Sequence, residues 1–415
     1  MSKVKEKKKM KLWKKILLIS GVTILSIGVI GVVGIFSLWG NEISSVCSIR
    51  KLVETKEENK SGPVYEMTIH GGYYFDKFIE QGGVSSDNEL IDFIVDNISK
   101  GILPISISAP TIGCASFTAI NENGERIMGR NYDFSTTASM IVKTDPGDGR
   151  YKSISSVDLQ FLGIDEEPYA DSLASKFLSL AVPYIPLDGI NEKGVACSIL
   201  MSYQGDGDET VPTNQQTEKP DLTSTTMLRM ILDYAGSVDE AIDMVSKYDL
   251  HDSANTSFHY MIADSTGDSA ILEWVSNDVN TDTDGSKRVL NVIRNDDDAA
   301  LGEKEGADDF QYVTNFLVTP DYYNNDEEKG GFDRYNKIQE MINPDGTNTE
   351  GKITNDNVLD ILETVGRRKW DKANGDSDSN GITVYSTLFN LTNKEMIFVS
   401  NEEFDNPASI FTYKL

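Results

Sequence analysis

Three cysteines and three histidines are all that this 415-residue sequence offers of the side chains most used in disulfide and metal chemistry. Cys47, Cys114 and Cys197 are few and odd in number, so no disulfide framework is implied, although one pair could form. There is no CxxC, His70, His251 and His259 show no metal-ligand spacing, and HExxH and GxSxG are missing. No metal or organic cofactor is expected. Positive charge is also scarce: 38 Lys and Arg stand against 66 Asp and Glu, a formal net charge of −28. So acidic a chain repels a phosphate backbone, which argues against a nucleic-acid partner.

The positive charge that exists is concentrated at the start. Residues 1–15, MSKVKEKKKMKLWKK, hold eight lysines against Glu6. Residues 16–39 follow with no charge, and as a helix they span roughly 36 Å, enough to cross a bilayer. The lysines before this segment predict a cytoplasmic N-terminus and an extracytoplasmic remainder on the cell membrane. A cleaved signal peptide has a shorter apolar region and a small-residue cleavage site, and a lipoprotein cysteine would not follow Val46 as Cys47 does. A single-pass signal anchor is therefore expected, then a polar tether over 40–62 and one domain over 63–415.

Within that domain, PVYEMTIHGGYYF reads as a strand. Ser86-Asp-Asn-Glu89 is a capping box before a helix whose apolar residues are Leu90, Ile91, Phe93, Ile94 and Ile98, closed by Gly101. CASFTAI and ERIMGRNYDF flank Asn123-Gly124, a hairpin signal. GINEKGVACSILMSY, SFHYMIADSTGDSAILEWV and TVYSTLFNLTNKEMIFVS read as further hairpins. Thr225 to Tyr248 holds two helices, and NDNVLDILETVG one more. Hairpins interrupted by blocks of helix predict an α+β layered domain with antiparallel sheet. Two acidic loops, at 280–285 and 376–381, imitate calcium loops but carry Asn291 and Thr387 where the bidentate glutamate belongs, so solvated turns are expected.

Cys114 opens the strand before the Asn123-Gly124 turn. With a two-residue turn it falls opposite Asp133, and Arg130 points to the other face unless a bulge at Gly129 turns it. A cysteine nucleophile needs a proton acceptor, and no histidine is near in sequence. Its own α-amino group, with a pKa of about 7.7–8.0, would serve if the Gly113–Cys114 bond were cut. The same residues also fit a buried apolar cysteine at a strand end.

Cys114, Arg130, Asn131 and Asp133 stand at the spacing that opens the choloylglycine hydrolase group of N-terminal nucleophile hydrolases, which this chain resembles from 112 to its end. That group includes penicillin V acylases, bile salt hydrolases and acid-ceramidase-like amidases. The likeness continues through DGINEKGVACSI, SFHYMIADSTGDSAILEW, YVTNFLVT, GFDRYNKI and TVYSTLFNLTNKEMIF. It implies a four-layer αββα sandwich with antiparallel sheets and a pre-nucleophile segment over 63–113 ahead of a catalytic chain over 114–415.

It also implies roles: Cys114 as nucleophile, its freed amine as base, Arg130 beside the thiolate and Asp133 holding the amine. Asn315 would donate to the oxyanion, and Arg334 matches the second site arginine. The second oxyanion-side position falls at Met201, which has no side-chain donor, with Tyr203 or a backbone N–H left to serve. The long segment before Cys114 resembles the ceramidase-like branch more than the bile-salt enzymes. The expectation is a membrane-anchored hydrolase of small linear N-acyl amides. Three readings compete with it: an N-acyltransferase, a catalytically silent surface binding protein, and a cysteine peptidase assisted by His251 or His259.

Overall fold

The computed structural model describes residues 39–56, 58, 60–99, 113–164, 172–204, 210–276, 282, 284–295, 309–320, 322, 329–374 and 381–415. The lysine-rich start and nearly all of the apolar segment 16–39 lie outside them, as do Gly101 and the acidic loop at 376–380. No helix among the described residues is long and apolar enough to cross a membrane.

Two sheets face each other. The larger runs in spatial order through Arg50–Val53, Val64–His70, Ser139–Asp145, Ser153–Asp158, Asp188–Asn191, Ala196–Met201, Phe258–Ala263, Ser269–Val275 and Val289–Arg294. The smaller runs through Tyr312–Val313, Gly113–Ile120, Arg126–Phe134, Ile382–Asn390, Glu395–Ser400 and Ile410–Lys414. Helices Ser224–Tyr234 and Val238–Val245 belong to the larger sheet's outer side. Helices Phe332–Ile342, Asn355–Thr364 and Arg367–Asn374 pack on the smaller sheet. The expected helices and hairpins are present, with Ser86 and Ser237 accepting from the backbone N–H of Glu89 and Glu240.

Two expectations are corrected. The larger sheet is mixed, because Val64–His70 pairs parallel with Ser139–Asp145. Residues 40–62 are no loose tether either. Residues 39–47 are helical, Arg50–Val53 pairs with the strand at Val64, and Ser45 is buried with its Oγ accepting from His70 N. The polar composition of this stretch hid a strand whose outward residues are simply solvated.

The Asn123-Gly124 hairpin forms, with a register one residue away from the expected one. Asn121 N donates to Glu125 O, and Gly124 takes φ 76°. The loop therefore holds three residues with glycine in the left-handed region, a common hairpin geometry. Asn121 Oδ1 accepts from the N–H groups of Asn123 and Glu125 and fixes that loop. Gly113 then faces Asp133, Cys114 faces Tyr132 and Ser116 faces Arg130. Because side chains alternate, this shift puts Arg130 on the same face as Cys114 without any bulge at Gly129. Gly129 matters for packing instead, since a Cβ there would stand 2.6 Å from the Phe117 ring.

Candidate active site

Cys114 is buried on the face of the smaller sheet that meets the larger one. Arg130 Nη2 donates to its Sγ at 3.6 Å and to Ile199 O at 2.7 Å. Arg130 Nη1 donates to Asp188 Oδ2 at 2.7 Å and to Tyr385 Oη at 3.2 Å, while that phenol donates to Asp188 at 2.9 Å. The guanidinium also lies over the Tyr132 ring, 5.2 Å from its centroid. A buried charge needs this partnering, and Asp188 supplies the compensating carboxylate.

The opposite face of the same strands carries a second ion pair. Asp133 accepts from Arg334 Nη1 and, at 2.7 Å, from Thr383 Oγ1. Thr383 reaches it because a bulge between Thr383 and Tyr385 inserts Val384 and rotates the strand end. Arg334 Nη2 donates to the carbonyl of Cys114 and to Asn315 Oδ1, both at 3.2 Å. Asn315 Oδ1 accepts from Cys114 N at 3.0 Å, and its Nδ2 donates to Met201 O at 2.8 Å. Thus Arg130 attends the thiol, whereas Asp133, Arg334 and Asn315 gather at the backbone of the same residue. Cys114, Arg130, Asp133, Asn315 and Arg334 are all brought together.

Other expectations fare differently. Met201 contributes its carbonyl, and Tyr203 donates its backbone N–H to Asn315 O. Burial pushes the Cys114 thiol up to about 11, only partly offset by Arg130. In the uncut chain the sulfur is therefore a thiol, not the thiolate that an adjacent arginine suggests. His251 is held between Asn214 and Asp221, and neither it nor His259 lines the cavity beside Cys114. That cavity is narrow, about 30 Å³, and walled mainly by apolar residues including Phe161, Ile185, Leu187, Ile199, Met201 and Phe258. Asp87, from the segment before Cys114, also lines it and accepts from Ala254 N at 2.6 Å. No group of His, Cys, Asp and Glu among the described residues is arranged to hold a metal.

Asp188, Tyr385 and Thr383 were not singled out in the sequence. Asp188 directly precedes GINEKG and the other two lie in the TVYSTLF strand, but their contacts with Arg130 and Asp133 span many residues.

Two facing sheets between helices, with a cysteine at the head of an inner strand, define an N-terminal nucleophile hydrolase sandwich. The chain belongs to the acyl-coenzyme A:6-aminopenicillanic acid acyl-transferase family, whose model matches residues 120–396. Cys114 stands just ahead of the matched stretch. A penicillin V acylase of Pectobacterium atrosepticum is 30% identical over 115 residues, which are 26% of this chain and 30% of that protein. The chain thus matches under a third of that curated relative's length. Among solved structures, a conjugated bile acid hydrolase variant from Clostridium perfringens is similar at TM-score 0.45 and 15% identity, covering 73% of this chain and 92% of that one. A penicillin V acylase from Agrobacterium tumefaciens is similar at TM-score 0.36 and 16% identity, covering 73% and 86%.

Proposed function

We propose that the protein hydrolyses linear N-acyl amides with an N-terminal cysteine freed by self-cleavage at Gly113–Cys114. The observation that carries this reading is the division of labour at Cys114: Arg130 on its sulfur, and Asn315, Arg334 and Asp133 around its backbone. In the first reaction Sγ adds to the Gly113 carbonyl carbon and the C–N bond to Cys114 breaks as its nitrogen takes the thiol proton. Water then splits the thioester, leaving a Gly113 carboxylate and a Cys114 with free amine and thiol.

The freed amine lies beside Asn315 Oδ1 and on the Asp133 side of the strand, so carboxylate and amide hold it for proton transfer. It takes the Sγ proton as the sulfur adds to the substrate carbonyl. It returns that proton to the leaving amine, and water hydrolyses the acyl thioester. One N–H of Asn315 Nδ2 is given to Met201 O, and its second is the donor left for the oxyanion. The cavity walls are apolar and match an apolar acyl group in character, while a volume of about 30 Å³ means the walls must part to admit one. Residues 16–39 would anchor the enzyme, with the domain outside the cytoplasm. The matched family is named for acyl transfer, which favours a second reading in which an amine replaces water at the thioester.

The test is a panel of N-acyl amino acids, bile conjugates, acylated lactones and penicillin V, with and without an added primary amine. Wild type should release free acid from an apolar N-acyl amide, and Cys114→Ala should neither cut itself nor turn over. A new amide in place of acid would establish the transferase, and full activity of an uncut chain would overturn both readings.

A further inference from the structure

His259 and Glu273 are fully buried on neighbouring antiparallel strands of the larger sheet, Phe258–Ala263 and Ser269–Val275. His259 Nδ1 meets Glu273 Oε1 at 3.0 Å, and Nε2 meets the Thr314 carbonyl at 2.8 Å. Glu273 then accepts from Val318 N at 2.8 Å, Thr319 N at 2.9 Å and Thr319 Oγ1 at 2.5 Å. The Thr314 carbonyl can only accept, so Nε2 carries a proton and donates to it, while Nδ1 shares a hydrogen bond with the Glu273 carboxyl. The pair grips residues 314–319 at both ends, and Asn315 lies between the grips.

Apolar side chains of similar volume often stabilise such a buried site as well or better, so stability is a weak account of the pair. We infer that His259 and Glu273 are positioning residues for the loop that carries Asn315, acting through its backbone without touching substrate. The loop has further ties near the site, from Tyr203 N to Asn315 O and from Thr314 Oγ1 to Gly331 O. With those ties holding residues 314 and 315, the pair's grip on Thr314, Val318 and Thr319 sets the aim of the Asn315 amide. This inference rests on the hydrolase reading, in which Asn315 serves the oxyanion.

The test uses the assembled full chain with N-decanoyl-4-nitroanilide, through His259→Ala, Glu273→Gln, Thr319→Val and the Glu273→Gln/Thr319→Val pair. Hydrogen exchange at the amides of Val318 and Thr319 is followed alongside. Folded His259→Ala and Glu273→Gln should lose on the order of tenfold or more in kcat with KM within about twofold, as expected when a donor used only in the transition state is misplaced. Thr319→Val should lose less, and nothing further on the Glu273→Gln background. Exchange at Val318 and Thr319 should quicken in Glu273→Gln while the strands keep their protection. A raised KM at unchanged kcat, or additive losses, would overturn the inference. If wild type turns over neither the anilide nor any amide of the panel, the hydrolase reading is what fails. Exchange then decides separately whether the pair holds the loop, and unchanged protection in a folded Glu273→Gln protein sinks it.

Discussion

A Cβ at position 113 would stand 3.1 Å from Asp133 Oδ2 and 3.4 Å from Arg334 Nη2, tight against an ion pair that has little room to yield. Gly113→Ala should therefore slow self-cleavage by about tenfold or more, seen as accumulation of the uncut chain on denaturing gels. A cutting rate equal to wild type would contradict this close approach. At Cys114 the prediction concerns pH. With its thiol held up to about 11 by burial, the uncut chain should react slowly with iodoacetamide at neutrality. Its labelling should climb about tenfold per pH unit up to that value, because only thiolate attacks. Fast labelling of uncut Cys114 at pH 7 would refute it. Arg130→Met leaves Asp188 buried without its cation and should cost about 3–5 kcal/mol of stability, read from denaturant melts.

At the scale of elements, the helix Asp87–Ile94 buries Leu90, Phe93 and Ile94 while Ile91 stays partly exposed. Phe93 meets Phe78 at 5.2 Å between ring centroids and Tyr184 at 5.9 Å. Phe93→Ala should destabilise the protein by about 3–5 kcal/mol, the range for an aromatic lost from a packed core. A thermal shift close to zero would show that the helix is not docked as described. This helix was legible from its serine cap and apolar spacing, and the hairpin around Asn123-Gly124 from its turn residues, since these are local signals. The register was not, because one more loop residue leaves the turn signal unchanged and moves every partner by one. The strand at Arg50–Val53 was hidden by lysine and glutamate around it. The Arg130–Asp188–Tyr385 cluster was hidden by distance, because it exists only when two sheets face each other. The five proposed site residues came from a family resemblance, Cys114, Arg130 and Asp133 by their spacing and Asn315 and Arg334 by short local motifs, and only the folded sheets bring them to one residue.

For the whole molecule, cutting at Gly113 would not release the smaller fragment. Its strand Val64–His70 pairs along seven positions with Ser139–Asp145. Tyr73 Oη donates to Asp233 at 2.6 Å, Gly62 exchanges two bonds with the Asn401 amide, and Tyr413 Oη donates to Glu66 at 2.9 Å. Active protein expressed as the full chain and cut as proposed should therefore run as two bands under denaturing conditions and as one species in native separation. Active longer fragment purifying without the smaller one would refute retention.

The parallel strand Val64–His70 has an implication for how the enzyme is made. It lies inside the larger sheet, with only Arg50–Val53 beyond it among the described residues. A gene starting at Cys114 would leave Ser139–Asp145, with buried Met140, Ile141 and Val142, as a bare sheet margin able to recruit any extended chain. Translation in one piece delivers the covering strand first, before the strand it protects leaves the ribosome. On the proposed self-cleavage the precursor would then be its own chaperone, and the scission would be safe only after folding is done. Truncated expression from Cys114 should yield inclusion bodies, and co-expression of residues 40–113 as a separate chain should restore part of the soluble yield.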